Sequence, residues 1–288
     1  MNDERRVRRR RRSSQQDAAL VDAVVAPQYG ARFAQGLLDA LPQGDRLQVL
    51  DVGCGTGQIS FRMLQRLGSS SRVIAVDHDA GLIALARQRG FGDIGRRLFF
   101  KTEDAEALSF GEGVFDAVVA HLLYRDLRDR VAAVREMHRV LVPGGRLLLT
   151  TPLRGTFGEI FEMLRERAVA HGDRELARTV DGLIERDPAT GDLEKVVRAA
   201  GFTEVELQHT SFRLSYANVE ALFSDRLLET IAFPEWRAAV GEEALHDVER
   251  RLRIYFEQGA LSLTVQAGRL VAHRGPDDTE LEETLYSS

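Results

Sequence analysis

The segment VLDVGCGTG, residues 49–57, limits what this chain can fold into more than any other stretch of it. An apolar run ends in an acid, three glycines follow at alternate positions, and helical periodicity begins directly after them. Glycine tolerates the positive φ that a tight strand-to-helix turn needs, and it admits a ligand where a Cβ would stand. Gly53, Gly55 and Gly57 make G-x-G-x-G behind Asp51. Turns that seat a pyrophosphate on a helix N-terminus read G-x-G-x-x-G instead. The spacing points to a nucleoside ligand without phosphates.

The surrounding chain supplies the scaffold for such a turn. LQVLDV (47–52), VIAV (73–76), LFF (98–100), AVVA (117–120) and RLLLT (146–150) read as short buried strands. Helical patterns lie between them. Ile59, Met63 and Leu67 share one face and end at Gly68, while Leu127, Val131, Val134, His138 and Leu141 follow Asp126 as N-cap. RVLVPGGRLLLT (139–150) reads as a helix, a Pro-Gly-Gly turn and a strand. Strand–helix alternation of this kind predicts a parallel sheet with helices on both faces, an α/β Rossmann-like fold.

After Pro152 the rhythm turns helical. Amphipathic helices are expected from Phe157 to Ala168, from Leu176 to Ile184, from Leu193 to Ala200, from Val219 to Ile231 and from Ala244 to Phe256. FTEVELQHTSFRLSY (202–216) reads as one long strand or a strand pair, and ALSLTVQAGRLVAHR (260–274) as a last strand. The expected organisation is an Arg-rich arm over 1–16 without fixed structure, one catalytic domain over 17–274, and an acidic tail over 275–288. Helical additions at 154–190 and 217–257 would cover the site.

S-adenosylmethionine (SAM) suits this turn, because it carries an amino acid end in place of phosphates. Its ammonium needs a carboxylate or carbonyls, and Asp51 is placed to serve it. Asp77, twenty residues after Gly57 at the carboxyl end of strand two, has the position of a ribose acceptor; the alternative is a helix N-cap. His78 lies against the adenine or is an ordinary loop residue, and Asp79 is the better cap. In TEDAEALSF (102–110), Asp104 would accept from the adenine amine and the Ala105 amide would meet the ring, beside Glu103. The end of FDAVVAH (115–121) would form the floor beneath the sulfonium.

With these five motifs in order, residues 29–152 resemble the class I SAM-dependent methyltransferases, with a weaker echo in LEKVVRAAGFTEVEL (193–207). The closest likeness is to the small-molecule ubiquinone/menaquinone-biosynthesis group. The resemblance implies a seven-stranded, mostly parallel sheet with an antiparallel last strand, and a cofactor across the strand carboxyl ends. It carries cofactor contacts onto Asp51, Gly53, Gly55, Asp77, Asp104, Ala105 and His121, within a binding set that also holds Cys54, Gly57, His78 and Glu103. Tyr29 matches an aromatic near the methionine end. His78 stands where relatives often have a hydrophobic residue, and Tyr124 where they often have a histidine.

The expected activity is methyl transfer from SAM to oxygen or carbon of a small or medium organic acceptor. His121, Tyr124 and Tyr29 are the candidates for proton transfer, each with packing or cofactor positioning as the alternative. Arg125 and Arg154 sit where an anionic acceptor could be held. The Asn/Asp-Pro-Pro-aromatic signature of nitrogen methylation is absent, since HLLY (121–124) follows strand four. With 39 basic and 44 acidic residues the chain carries −5, poor support for nucleic acid as the main partner. Residues 5–12 leave open an RNA or DNA methyltransferase using the arm, and a catalytically silent SAM-binding interaction protein is the other alternative. His171 and His209 lack partners at metal-ligand spacing and Cys54 is the single cysteine, so no metal site or internal disulfide is expected. No apolar run is long enough for a membrane span, the first residues do not read as a secretory or mitochondrial leader, and the location expected is cytoplasmic. The oligomeric state, a homodimer included, stays open.

Overall fold

A computed structural model describes residues 19–89, 92–256 and 261–276. The expectations for the Arg-rich arm and for residues 277–288 fall outside them. Seven strands form one sheet: β1 Gln48–Val52, β2 Arg72–Asp77, β3 Leu98–Thr102, β4 Phe115–His121, β5 Leu141–Pro152, β6 Phe202–Tyr216 and β7 Leu261–Arg274. Their order is β3-β2-β1-β4-β5-β7-β6. Every pairing from β3 to β5 is parallel, and β7 runs antiparallel between β5 and β6. This is the sheet the sequence implied.

The helices are α1 Ala31–Asp39, α2 Gln58–Arg66, α3 Ala80–Gln88, α4 Arg130–Val140, α5 Gly158–Ala170, α6 Arg174–Ile184, α7 Thr190–Ala199, α8 Val219–Phe223, α9 Arg226–Ile231, α10 Phe233–Val240 and α11 Glu242–Tyr255. Side chains alternate across a strand, and the two faces of the sheet accordingly fill two cores. Val49, Val73, Ala117, Val119 and Leu148 pack with Leu37, Met63 and Ile83 from α1 to α3. Leu50, Val52, Val118, Ala120 and Leu147 pack with Val134, Met137, Leu193 and Val197 from α4 and α7. Burial on both faces explains why these strands read as continuous apolar runs.

Several boundaries differ from the expected ones. Helix α4 is capped by Asp129, which accepts from the Ala132 amide at 2.9 Å, because Tyr124–Asp126 forms a 3₁₀ turn first. Helix α2 ends at Arg66 and Leu67 is already extended, so Gly68 lies beyond the cap. The Pro-Gly-Gly segment is a bulge within β5 rather than a turn before it, since Phe115 pairs with Leu141 and Ala117 with Arg146. The helix expected from Val219 to Ile231 is two helices, because Asp225 accepts from the Leu227 amide at 2.6 Å and starts α9.

The longest strands explain the added helices. Thr210–Tyr216 of β6 and Leu261–Ala267 of β7 continue pairing past Pro152, where β5 ends. This two-stranded extension rises from the carboxyl end of the sheet and carries α8–α11 between its strands. Together with α5 and α6 it makes a third core holding Phe157, Phe161, Leu222, Phe233 and Trp236. Trp236 packs edge-on against Phe157, Phe161 and Phe233 at 5.4–5.5 Å between centroids, the geometry aromatic quadrupoles favour. A helical cap therefore stands over the parallel strands. Among the described residues no helix is long and apolar enough to cross a membrane.

Candidate cofactor and acceptor site

The glycine turn owes its shape to three left-handed glycines. Gly53, Gly55 and Gly57 have φ of +73°, +55° and +79°. A Cβ on Gly53 would stand 2.7 Å from Leu123 and one on Gly57 2.7 Å from Phe100, so both positions are closed by packing. A Cβ on Gly55 would meet nothing within 4 Å. That glycine faces open space, where a ligand approaches bare backbone. The Cys54 side chain turns into the core with α1 and α2, and burial pushes its thiol up.

Asp77 ends β2 and organises the turn. Its Oδ2 accepts from the Gly55 amide at 2.8 Å and its Oδ1 from the Asp79 amide at 3.0 Å. Oδ2 keeps a second lone pair for a hydroxyl donor, while Oδ1 also meets His78. Asp79 caps α3 by accepting from the Gly81 and Leu82 amides, as expected, and so leaves Asp77 free of that duty. His78 lies on the surface with Nδ1 3.3 Å from Asp77 Oδ1, and that contact raises its imidazole above the ordinary range.

Asp51 is the buried charge of the site. It is 1% exposed at the end of β1, and among the described residues its one side-chain hydrogen-bond partner is the Ser60 hydroxyl at 2.5 Å. Burial pushes its carboxyl up to about 7, the Ser60 bond opposes this, and Asp77 adds to it. A carboxylate with no cation beside it among the described residues is suited to an external ammonium. The open face at Gly55, the free lone pair of Asp77 and the unmatched Asp51 fit the nucleoside, the ribose and the ammonium of SAM, of which the ammonium has no counterpart in a dinucleotide.

The remaining predicted residues divide. Asp104 and Ala105 lie after β3, where Asp104 accepts from Arg128 at 2.6 Å and from the Glu106 amide at 3.0 Å. Glu103 is tied to Lys101 and Ser109. His121 ends β4 with Nδ1 2.8 Å from the Thr150 hydroxyl, its register partner on β5. Loss of water around the ring, with Arg62 nearby, holds its imidazole down to about 3. Tyr29 belongs to a π-helical segment, Val21–Gly30, and packs with Phe33 and Phe212 in the cap core. The next residue, Gly30, faces His121, whose Nε2 would be 3.4 Å from a Cβ there. Tyr29 and His121 are joined through Gly30 alone, since the Tyr29 ring itself packs on Phe33 and Phe212. Tyr124 is not with them: it is buried in the core of α4 and α7, with Arg130 4.9 Å above its ring.

Four features escaped the sequence reading. Asp22, from the π-helical segment, pairs with Arg89 and bonds the buried Thr56 hydroxyl, pinning that segment to the glycine turn. Ser60 and Thr150 are the partners of Asp51 and His121. Finally, Arg125 links the sheet to the cap, lying 3.3 Å from Asp187 in the α6–α7 loop and 2.9 Å from Glu235 on α10. Glu235 also pairs with Arg186. Arg125 is therefore already engaged, and Arg154 is half-exposed beside Asp192 at 3.5 Å. Ser60 sits one turn into α2 and could have been sought there; nothing local marks Asp187.

The family model described as a methyltransferase domain matches residues 49–145. The chain is 32% identical over 187 residues to a ubiquinone/menaquinone biosynthesis C-methyltransferase of Methylobacterium nodulans, covering 62% of this chain and 72% of that one. It is 29% identical over 238 residues to the nocamycin O-methyltransferase of Saccharothrix syringae, covering 75% and 82%. In fold it is similar to phosphoethanolamine N-methyltransferase 2 of Haemonchus contortus, with a TM-score of 0.57, 16% identity and coverage of 92% of this chain and 59% of that one. The glycine turn, its two flanking carboxylates and these likenesses agree, and the chain belongs to the class I SAM-dependent methyltransferases.

Proposed function

We propose that the enzyme moves the methyl group of SAM to an oxygen or carbon of a small or medium organic acceptor enclosed beneath the helical cap. The observation that carries this reading is the cap core itself. It gathers Phe157, Phe161, Phe233 and Trp236 into one buried apolar cluster with Tyr29 and Phe33, and Leu122, directly after β4, packs against the same cluster. Concave, mostly apolar enclosures with a few fixed polar groups suit small ligands. Two relatives act in their names on carbon and on oxygen, which supports the same pair of acceptor atoms here.

In this reading Asp51 holds the ammonium, the Gly55 backbone lies against the nucleoside, Asp77 takes the ribose hydroxyls and Asp104 the adenine amine. His121, neutral at pH 7, braces the floor through Thr150. Bound SAM supplies a carbon already activated by its sulfonium. The protein's task is to align the acceptor behind that carbon and to exclude water, and effects of that kind lower barriers by roughly 7–11 kcal/mol. Tyr29, held protonated by burial, donates a hydrogen bond to the acceptor.

Incubating the full chain with SAM labelled in the methyl group, against phenols, hydroxy acids, quinols and short RNA and DNA, tests this directly. Label in a low-molecular-weight product is the expected result. Label in nucleic acid, abolished by removing residues 1–12, would support the arm-dependent alternative instead.

A further inference from the structure

A cavity separate from the cofactor turn lies along β6, the edge strand of the sheet. It measures about 380 Å³, and its walls include Pro27 and Gln28 of the π-helical segment, Arg32 of α1, Arg213 and Tyr216 of β6, and Asp225 at the start of α9. Spaces of this size take small organic ligands. Among the described residues, neither arginine's guanidinium enters a hydrogen bond or an ion pair. Arg32 is held in place all the same, with its guanidinium carbon 4.9 Å above the Phe212 ring, a stacking that leaves its N–H donors unused. The Tyr216 hydroxyl is buried beside Asp225 without a well-directed hydrogen bond. Burial, and then the Asp225 carboxylate, hold that phenol protonated, and a buried donor is costly to leave without an acceptor. Asp225 itself commits Oδ1 to the Leu227 amide at 2.6 Å as the cap of α9. Two arginines against one carboxylate leave the lining with a charge of +1.

We propose that this cavity is a second ligand site, distinct from the cofactor site, which takes a small organic anion by its carboxylate or phosphate group. Arg32 and Arg213 supply guanidinium donors, whose planar fork matches either group, and Tyr216 adds a hydroxyl donor. Asp225 repels an anion placed against it and so directs the charged group to the arginine side. The site goes beyond the methyl transfer read above and does not depend on which acceptor is methylated. Its walls join the segment that Asp22 pins to the glycine turn, the edge strand β6 and the cap helix α9. A bound anion therefore bridges the cap and the segment tied to the glycine turn.

Calorimetry of the full chain with phenyl phosphate, benzoate, benzyl alcohol and benzylamine tests the site, since the four share a ring and differ in charge. The anions should bind both alone and with S-adenosylhomocysteine at saturation, and the tighter of the two tells phosphate from carboxylate recognition. Arg32→Gln and Arg213→Gln should each weaken the anions about tenfold, and added salt should weaken them further. Asp225→Asn still caps α9 and should tighten them. All three variants should keep wild-type affinity for S-adenosylhomocysteine, which reports an intact fold. If one arginine variant does not fold, the other and Asp225→Asn decide. The proposal is overturned by benzyl alcohol binding as well as benzoate, by benzylamine binding that Asp225→Asn removes, by anions that S-adenosylhomocysteine displaces, or by neither anion binding. None of these results bears on methyl transfer, which the labelled-SAM assay reads separately.

Discussion

Asp51→Asn should make the ligand-free protein more stable and the cofactor-bound protein less so. Asp51 is enclosed, its partner is Ser60, and its carboxyl is lifted from 3.8 to about 7. That displacement corresponds to about 4 kcal/mol against the charged form. The folded state holds a proton between about pH 4 and 7 that the unfolded chain has released, so stability is full below that window and falls as pH rises through it, by about 1.4 kcal/mol per pH unit. Asparagine has the same shape, still accepts from Ser60 and carries no charge. At pH 8 the variant should therefore melt about 8 °C above wild type, at roughly 2 °C per kcal/mol for a chain of this size. At pH 4 the two should melt together. S-adenosylhomocysteine should raise the melting temperature of wild type and barely move that of Asp51→Asn, because the ammonium loses its counter-charge. Thermal unfolding with and without S-adenosylhomocysteine at both pH values reads all four quantities. A variant that melts below wild type at pH 8, or that gains equally from the ligand, would refute the reasoning.

Other perturbations separate the remaining parts. Gly55→Val puts a branched side chain at φ +55° into open space; it should cost about 1–2 kcal/mol of stability yet abolish S-adenosylhomocysteine binding by calorimetry. Asp77→Ala removes the acceptor of the Gly55 and Asp79 amides and should weaken S-adenosylhomocysteine by at least ~10²-fold, with hydrogen exchange accelerated at Gly55. His121, whose folded imidazole titrates near 3, contributes stability that is present above its unfolded value of about 6.5 and is lost as pH falls below it; His121→Gln should flatten acid unfolding between pH 6 and 4. Glu235→Gln weakens the link from α10 to Arg125 and Arg186 and should speed limited proteolysis of the cap while leaving S-adenosylhomocysteine affinity intact.

Local chemistry made the cofactor half of the site readable. The G-x-G-x-G spacing requires positive φ at Gly53, Gly55 and Gly57, and the structure gives it at all three. The acid at 77 falls at the end of a strand whose apolar run announces its own length. Asp79 as cap was legible for the same reason. Boundaries were less so: Asp126 and Asp129 both precede the apolar stripe of α4, and only the intervening 3₁₀ turn decides between them. The ties between the cap and the sheet were not legible because they join distant parts of the chain. The Arg125–Glu235 bond spans 110 positions, and Asp187 has no periodicity or motif around it. Tyr124 was misjudged in placement for a related reason: the 3₁₀ turn rotates it into the core of α4 and α7, opposite Arg130, which spacing along the chain does not reveal.

The central claim is that the turn of residues 49–57, with carboxylates at Asp51 and Asp77, receives a nucleoside carrying an amino acid tail. Calorimetric titration of the full chain with S-adenosylhomocysteine, with 5′-methylthioadenosine and with NAD tests it most directly. Micromolar binding of the first, at least ~10²-fold weaker binding of the second for want of the tail (about 2.7 kcal/mol), and none of the third is the expected pattern. Equal affinity for the tailless nucleoside, or heat from NAD alone, would contradict it.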